Sequence, residues 1–452
     1  MRCISAQTCI ISIIVTLLGC SASGPVDDKP AVPAPTNLPP ADKSLDRPSL
    51  AEEQPLDPNT PITLRQSLAL ALLRNPELEA FSWQVRAQEA NILQESLRPN
   101  PVLGAKVENF GGTDPIDRFE GAMTTFSISQ LIELGGKRMK RTRLAETNHA
   151  LSAWDYEAKR LEIVTEVARR YIEVLADQHR VELAEQTLEL SRQLHAIVKD
   201  RARVGVIPTV EVDKAVVRVS TEQILLHKAR RKLESSRQQL CAMWADSDPL
   251  FSEALGELTV VEDIPTQGQL TRLVSQNPDI ARWSAEISQR RSALELARSQ
   301  AIPSVSVGGG IRRFGATDEN ALVFEAGLPV PIVDRNQGGR LQARYDLMKA
   351  KSQQKDAEVG VRTLLIANHR TLAAAHYEVV TLRDTTIPAA RSAYDAARKA
   401  FEKGLTSFID VLDADRTLVN SQRQYIESLS TFQKTLTTLE GLVGQYPAAM
   451  RD

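Results

Sequence analysis

Cysteine is scarce in this sequence, with four residues among 452. Cys3 and Cys9 fall in an N-terminal segment that has the pattern of a cleaved signal, and Cys20 follows it directly. With Cys20 modified, Cys241 is the one thiol left in the mature chain, so no intramolecular disulfide is expected. Cys241 stands in the apolar sequence Leu-Cys-Ala-Met-Trp, which predicts a buried small side chain.

Residues for catalysis and for metal binding are also few and scattered. No histidine has another histidine four residues away, or a cysteine or carboxylate cluster at ligand spacing. No nucleophile motif or acid–base constellation is present, and the net charge of −2 without a basic stripe argues against nucleic-acid binding. We therefore expect no enzyme, no cofactor and no metal site. The six histidines are His149, His179, His195, His227, His369 and His376.

Long apolar runs are missing as well. The apolar core of the N-terminal segment, residues 10–18, is too short to span a bilayer as a helix, so residues 1–19 are predicted to be a cleaved signal peptide. Leu17-Leu18-Gly19-Cys20 resembles a bacterial lipoprotein box, which implies lipidation of Cys20. Ser21, where aspartate would retain the protein at the inner membrane, implies sorting to the outer membrane. The alternative is an ordinary signal followed by a coincidental cysteine.

Residues 20–61 form a proline-rich segment without an apolar period. Between Gly24 and Pro61 it holds ten of the 23 prolines. Such a composition cannot build a core, and it predicts an extended tether between the lipid anchor and the rest of the chain.

A unit of roughly 200 residues occurs twice after the tether. Gly135-Gly136 recurs as Gly338-Gly339, at an offset of 203, and Asn75-Pro76 recurs as Asn277-Pro278, at an offset of 202. In both copies a β-like run ends at the Gly-Gly pair and a long helical pattern begins, so both pairs are predicted to be strand-to-helix hinges. We expect one repeat over 62–247, a linker over 248–268 and a second repeat over 269–446.

Each repeat contains two strand-like runs. Apolar residues alternate with polar or small ones in the predicted β-hairpins 101–130 and 304–333. Runs of about ten alternating residues have the length of a transmembrane β-strand. A soluble amphipathic sheet has the same pattern and stays open as the alternative.

A long helical hairpin follows each β-hairpin, over 136–247 and 339–444. The first outgoing helix has apolar residues at steps of three and four, as in a coiled coil: Leu161, Val164, Ala168, Tyr171 and Leu175. The corresponding stripe on the return helix is predicted at Val212, Val216, Val219, Gln223 and Leu226. Pro388 predicts a kink in the second repeat that the first repeat lacks.

Four strands cannot close a barrel, because about eight are the minimum and open strand edges are not tolerated in lipid. The hairpins must therefore combine between chains, and twelve strands from three copies leave room for a lumen. A ring of helical hairpins would bury the seams that one chain leaves open. The expected fold is mainly α, with a small membrane β part shared by three chains.

The whole of this pattern resembles the TolC-type outer-membrane efflux proteins. The motifs Gln130-Leu-Ile-Glu-Leu-Gly-Gly-Lys-Arg138 and Pro329-Val-Pro-Ile-Val-Asp-Arg-Asn-Gln-Gly338 resemble its CzcC-like branch, from cobalt–zinc–cadmium efflux systems. The resemblance implies a homotrimer with a 12-strand β-barrel in the outer membrane and an α-barrel in the periplasm. It also implies a periplasmic adaptor and a proton-driven (RND-type) inner-membrane pump as partners, and divalent heavy-metal cations as cargo. The alternatives are export of drugs or secreted proteins, and a structural periplasmic coiled coil.

The same resemblance points to a gate at the far end of the helical hairpins. The segment from Gly404 to Asp413 is similar to the TolC-type gate, whose two acidic residues line the closed pore. They correspond to Asp410 and Asp413, which share one helix face, and Glu211 is the first-repeat counterpart. Threefold symmetry would give carboxylate rings that select for cations.

Two positions of that gate depart from the family pattern. The gating tyrosine and arginine of the family fall at Phe401 and Thr406, so the latch that they make is not expected here in its usual form. The alternative for the acidic residues, with Asp415, is that they are solvated acids near a helix N-terminus, where the helix dipole favours them.

Overall fold

The computed structural model describes residues 60–113, 119–248, 251–261, 264–274 and 277–445. The predicted signal peptide, Cys20 and the tether up to residue 59 lie outside these residues.

The second helix of each repeat is capped by asparagine and begins with proline. Helix α1 (Leu64–Arg74) leads into α2 (Pro76–Ser96), and α6 (Pro278–Gln300) is the second-repeat counterpart of α2. The Asn75 side chain accepts a hydrogen bond from the Leu78 amide at 3.0 Å and donates to the Met243 carbonyl at 2.8 Å. Asn277 likewise accepts from the Asp279 amide and donates to the Gly441 carbonyl. Each asparagine therefore caps a helix and ties the start of its repeat to the end of the same repeat.

The four long strands form one antiparallel sheet. Its order is β2 (Val102–Glu108), β3 (Met123–Ile132), β5 (Val305–Phe314) and β6 (Asn320–Gly327). The repeats meet at the β3–β5 pair, where Phe126 lies opposite Ile311. Among the described residues, β2 pairs with β3 alone and β6 with β5 alone, so one edge of each is open. A separate pair joins β1 (Ile62–Thr63) in parallel to β4 (Ala254–Leu255), which lies within the segment predicted as a linker.

The two faces of the four-stranded sheet differ in character. One face carries a row of apolar residues in register, Ala105, Phe126, Ile311 and Leu322, and the next row includes Phe324, which is 76% exposed. The opposite face carries polar and small residues: Lys106, Thr125, Ser127, Gly308, Gly310, Arg312 and Glu325. The predicted alternation is confirmed, and the large apolar side chains Phe126, Ile311, Leu322 and Phe324 are exposed.

Long helices make up the rest of both repeats. The first hairpin consists of α3 (Lys137–Arg203) and α4 (Val210–Cys241), which ends in a 3₁₀ turn at Ala242–Trp244. The second consists of α7 (Gln337–Thr381), α8 (Ile387–Glu402) and α9 (Phe408–Leu442), and a short α5 (Gln267–Leu273) precedes α6. A π-helical segment, Leu382–Thr386, joins α7 to α8 directly before Pro388, which confirms the predicted interruption. No helix in the described ranges combines the length and the apolar character needed to cross a bilayer.

The predicted stripes agree with the core on α3 but not on α4. All five predicted residues of α3 are buried, and so is Cys241. Along the predicted stripe of α4, from Val212 to Leu226, the buried residues are Ala215 and Glu222, whereas Val216 is exposed. The prediction for α4 was thus wrong by one residue at two positions, because it favoured the apolar Val216 and passed over the acidic Glu222.

The two strand-to-helix turns use different residues in the left-handed conformation. Gly135 and Gly136 have φ values of +71° and +68°, as predicted for a hinge that needs glycine. In the second repeat the left-handed residue is Asn336, with φ of +53°, while Gly338 and Gly339 lie in the first turn of α7. The prediction that this Gly-Gly pair makes the turn was wrong, because asparagine tolerates this conformation better than most residues. A β-carbon at Gly339 would lie 2.4 Å from Asn336 Oδ1, which accounts for glycine there.

The three consecutive glycines of β5 allow a sharp test of the sheet. A methyl group on Gly310 would lie 2.3 Å from the Phe126 carbonyl oxygen of β3, whereas one on Gly309 would have no atom nearer than 3.7 Å. We expect Gly310→Ala to lower the free energy of unfolding by about 1–3 kcal/mol through overpacking. Gly309→Ala is the matched control and should change little. Thermal unfolding of the purified protein in detergent measures both, and equal midpoints would contradict the proposed close approach of the strands.

Candidate functional site at the hairpin tips

The two helical hairpins end in turns of the same design. Gly205 and Gly404 have φ values of +77° and +76°, which L side chains rarely adopt. In each turn the following amide donates back into the outgoing helix, Val206 to the Arg201 carbonyl at 3.0 Å and Leu405 to the Ala400 carbonyl at 2.9 Å. The side chains at the apex are apolar and exposed, and Leu405 is 77% exposed.

Asp410 lies in the first turn of α9 and is tied to the residues before it. Its carboxylate accepts hydrogen bonds from the Ser407 amide at 3.0 Å, the Ser407 hydroxyl at 2.6 Å and the Thr406 hydroxyl at 2.5 Å. Ser407 in turn accepts from the Asp410 amide, which completes a capping box. The side-chain hydrogen bonds from Ser407 and Thr406 hold the pKa of Asp410 below its ordinary value. Asp410 therefore keeps its charge and holds a fixed position at the tip.

The two other predicted acidic residues differ from Asp410. Asp413 lies one turn further along α9 with an exposed side chain. Glu211 is in the first turn of α4, where it is partly buried and pairs with Lys214 at 3.0 Å. The structure thus places Asp410 and Asp413 together on α9, whereas Glu211 already has a cation beside it.

Phe401 is a core residue near the tip. It is 2% exposed and packs against Phe408, with ring centroids 5.8 Å apart. The guanidinium of Arg201, from the first repeat, lies 4.7 Å from the Phe401 ring centroid and donates to the Phe401 carbonyl. Contact between the repeats at this position is therefore made by Arg201, which the sequence prediction missed.

A buried ionic cluster two turns from the tip joins the return helices of the two repeats. Arg218 of α4 donates a hydrogen bond to Asp415 of α9 at 2.6 Å. A second guanidinium nitrogen of Arg218 lies 2.7 Å from Glu222 Oε1, but the two atoms are not aligned for a hydrogen bond. Arg423 of α9 donates to Glu222 at 3.1 Å. Glu222 is fully buried and Asp415 is 3% exposed. We call these four residues the interhelix cluster. Asp415 is therefore not the solvated acid of the alternative interpretation.

Desolvation dominates the electrostatics of Asp415 in the interhelix cluster. Burial raises the pKa of Asp415 above its ordinary value, and the opposing effect of Arg218 is smaller. A raised carboxyl pKa in the folded state favours folding below the unfolded pKa, and this contribution is lost as pH rises through the folded pKa. Arg218 therefore opposes the effect of burial on the pKa of Asp415 but does not cancel it.

No group of three or more His, Cys, Asp or Glu side chains within the described ranges is arranged to hold a metal ion.

Comparison with known proteins decides the family. The sequence matches the outer membrane efflux protein family over residues 68–246 and 270–445. The chain belongs to the outer membrane efflux protein family. It is 30% identical to the cobalt-zinc-cadmium resistance protein CzcC of Cupriavidus metallidurans, over 85% of this chain and 90% of that protein. It is 24% identical to the pyoverdine export outer membrane protein OpmQ of Pseudomonas aeruginosa, over 84% of this chain and 83% of that protein.

Solved structures show the same fold. Crystal structures of CusC, described in terms of folding and transmembrane channel formation, superpose with a TM-score of 0.72 at 16% identity, over 91% of this chain and 99% of that chain. The TolC-type fold expected from the sequence is confirmed. This efflux protein is accordingly an outer-membrane channel with its helical part in the periplasm.

The interhelix cluster of this efflux protein can be tested by removing one charge at a time. Arg218→Gln leaves Asp415 buried without its ion-pair partner and leaves Glu222 with Arg423 alone, so we expect a loss of about 3–5 kcal/mol in the free energy of unfolding. Asp415→Asn should be milder, because burial already disfavours its ionised form.

Arg231→Gln on the same helix is the matched control. Its ion pair with Glu234 is exposed, and its removal should change the free energy of unfolding by about 1 kcal/mol or less. The measurement is chemical unfolding of the purified protein in detergent. Similar losses for Arg218→Gln and Arg231→Gln would rule out a desolvated cluster.

Proposed function

We propose that this protein works as a homotrimeric outer-membrane channel that passes divalent heavy-metal cations out of the periplasm. An RND-type proton-driven pump of the inner membrane would deliver the cations through a periplasmic adaptor. The observation that carries the channel is the two-faced sheet with open edges at β2 and β6. Three copies joined edge to edge give twelve strands, which satisfies the open backbone groups and places the apolar face against lipid.

Support for a cation as cargo comes from the tip and from the relatives. Asp410 is charged and fixed, Asp413 is exposed, and both lie on the first turns of α9. Repeated by threefold symmetry, these acids would form two carboxylate rings that favour cations. CzcC, at 30% identity over 85% of the chain, carries cobalt, zinc and cadmium resistance in its name.

The adaptor would dock on the two tip turns. Val206 and Leu405 are equivalent in the two repeats and both are exposed at the apex. Exposed apolar side chains at the apex of both hairpins are suited to contact with another protein.

We also propose that Cys20 is lipidated and that residues 20–61 tether the anchor to the two repeats.

The same channel exporting organic molecules is the second candidate. It is favoured by the 24% identity to the pyoverdine exporter OpmQ over 84% of this chain. A structural periplasmic coiled coil is disfavoured, because it would have no use for the exposed apolar face of the sheet.

Growth of a deletion strain separates the two candidates. The strain is grown on zinc, cobalt, cadmium, nickel, copper and silver, beside a panel of drugs, detergents and siderophores. We expect selective sensitivity to one or more metals that the wild-type gene restores. Sensitivity confined to the organic compounds would keep the channel and reject the metal as its cargo.

The acidic rings are tested by single-channel recording. Asp413→Asn removes a charge without disturbing a described contact, and together with Asp410→Asn it should raise conductance and weaken block by divalent cations. Because the pKa of Asp410 is lowered, its charge should persist as pH falls from 7 to 5, and divalent block of the wild type should persist with it.

Ser407→Ala serves as the control for the gate variants. It removes the capping hydroxyl of α9 but keeps both carboxylates, so it should leave divalent block in place. Equal loss of block in Ser407→Ala and in the double variant would mean that the capping box, not the charge, matters. Unchanged conductance and block in the double variant would remove Asp410 and Asp413 from the gate.

A further inference from the structure

The helices that follow the sheet begin with charges that oppose their own dipoles. Helix α3 starts Lys137-Arg-Met-Lys-Arg-Thr-Arg143 and has no acidic residue in its first turn. Helix α7 also has no acidic residue in its first turn and carries Arg340 and Arg344. The N-terminus of a helix is its positive end, so cations there are locally unfavourable. A local conflict of this kind, present in both repeats, indicates a function outside the helix itself.

Some of these cationic side chains form hydrogen bonds or ion pairs within the chain, and others have no such partner among the described residues. Lys137 donates to Ser304 at 2.8 Å, and Arg141 pairs with Glu95 at 3.0 Å and with Glu133. Three arginines are exposed and have no ion-pair partner among the residues that the structure describes: Arg138, Arg340 and Arg344.

An exposed apolar loop precedes α7 and lines one cavity together with Lys137, the neighbour of Arg138. The segment 328–333, between β6 and α7, exposes Leu328, Val330, Ile332 and Val333, the last of them by 83%. Leu328 is an even number of residues after Leu322 and Phe324, so it continues the side of β6 that carries the apolar face. The loop therefore begins where the apolar face of the sheet ends. The apolar face therefore continues past the last strand, and the first turns of α7, with Arg340 and Arg344, follow it along the chain.

We propose that this collar, made of Arg138, Arg340, Arg344 and the loop 328–333, binds anionic phospholipid headgroups in the periplasmic leaflet of the outer membrane. The inference rests on the proposed function, which places the apolar face of the sheet in lipid. The loop side chains would reach into the boundary between headgroups and acyl chains, and the arginines would contact phosphate oxygens, which the guanidinium fork fits well. Tyr345, exposed beside Arg344, has the character of an interfacial aromatic residue.

Charge complementarity favours lipid over a second copy of the chain as the occupant. The acids near the strand-to-helix turns are already engaged: Glu95 and Glu133 by Arg141, and Asp334 by the Asn336 amide at 2.8 Å. A symmetric neighbour would bring the same basic helix starts and the same occupied acids to this level. We therefore expect the anion to come from outside the protein, and the phospholipid of the periplasmic leaflet would supply it.

The test is lipid binding to the purified full-length protein in detergent, followed by native mass spectrometry. Phosphatidylglycerol is the anionic probe and phosphatidylcholine the zwitterionic one. We expect the wild type to retain phosphatidylglycerol in preference, and the triple variant Arg138→Gln, Arg340→Gln, Arg344→Gln to lose about tenfold or more of that preference. Equal retention of the two lipids by the wild type would overturn the proposal.

A matched variant removes the same number of charges elsewhere. Lys228→Gln, Arg362→Gln, Arg391→Gln alters exposed residues of α4, α7 and α8, and it should keep the preference for phosphatidylglycerol. The same loss in this variant would show a non-specific effect of net charge and would overturn the collar. Displacement of phosphatidylglycerol by millimolar inorganic phosphate would assign the site to free phosphate instead. Loss of trimer in the collar variant, with lipid preference kept, would make the collar a subunit contact.

Single-channel conductance in neutral bilayers distinguishes this proposal from the proposed function. A collar variant that conducts like the wild type but has lost its lipid preference supports both. Failure of the wild type to form channels at all would reject the proposed function, whatever the lipid result.

Discussion

In a lipid bilayer every backbone amide and carbonyl must form a hydrogen bond within the protein, and the rest of this structure depends on that constraint. One chain supplies four strands, and the outer edges of β2 and β6 have no partner among the described residues. Such edges are not stable in a bilayer, so the chain cannot be a membrane unit by itself. The exposure of Phe324 and its neighbours and the small polar residues of the other face are consequences of the same requirement, since a closed sheet needs a lipid face and a lumen face.

Duplication gives the chain two equivalent hairpins, but the contacts between them are not symmetric. Asn75 and Asn277 make equivalent hydrogen bonds, because each joins the start of a helix to the end of the helical hairpin in its own repeat. Arg201 on Phe401 and Arg218 on Asp415 join the repeats, and neither has a copy at the equivalent position. Sequence changes at these positions therefore act on how one repeat packs against the other, while changes at the asparagines act within a repeat.

Sequence patterns predicted the parts of the fold that depend on period. The α3 stripe from Leu161 to Leu175 and the alternating strands follow directly from which face is buried, and hydrophobicity reports that face. Patterns failed where a polar residue takes an apolar place. Glu222 lies in the core because Arg218 and Arg423 neutralise it, and only the three-dimensional neighbours reveal that. Asn336 takes the place expected for glycine for a similar reason, since its side chain donates to the Ala297 carbonyl at 2.7 Å.

In the proposed gate, a buried ionic cluster would be a suitable contact between helices that separate when the channel opens. The desolvation penalty of burying Arg218, Glu222 and Asp415 offsets much of their electrostatic attraction, so the cluster adds little net stability to the joined helices. Separation of α4 and α9 would return the charges to water, and the free energy of hydration would offset the lost ion pairs. An apolar contact of the same size would have no such compensation on opening. The cluster thus holds the return helices in a defined register while keeping the free-energy difference between joined and separated states low.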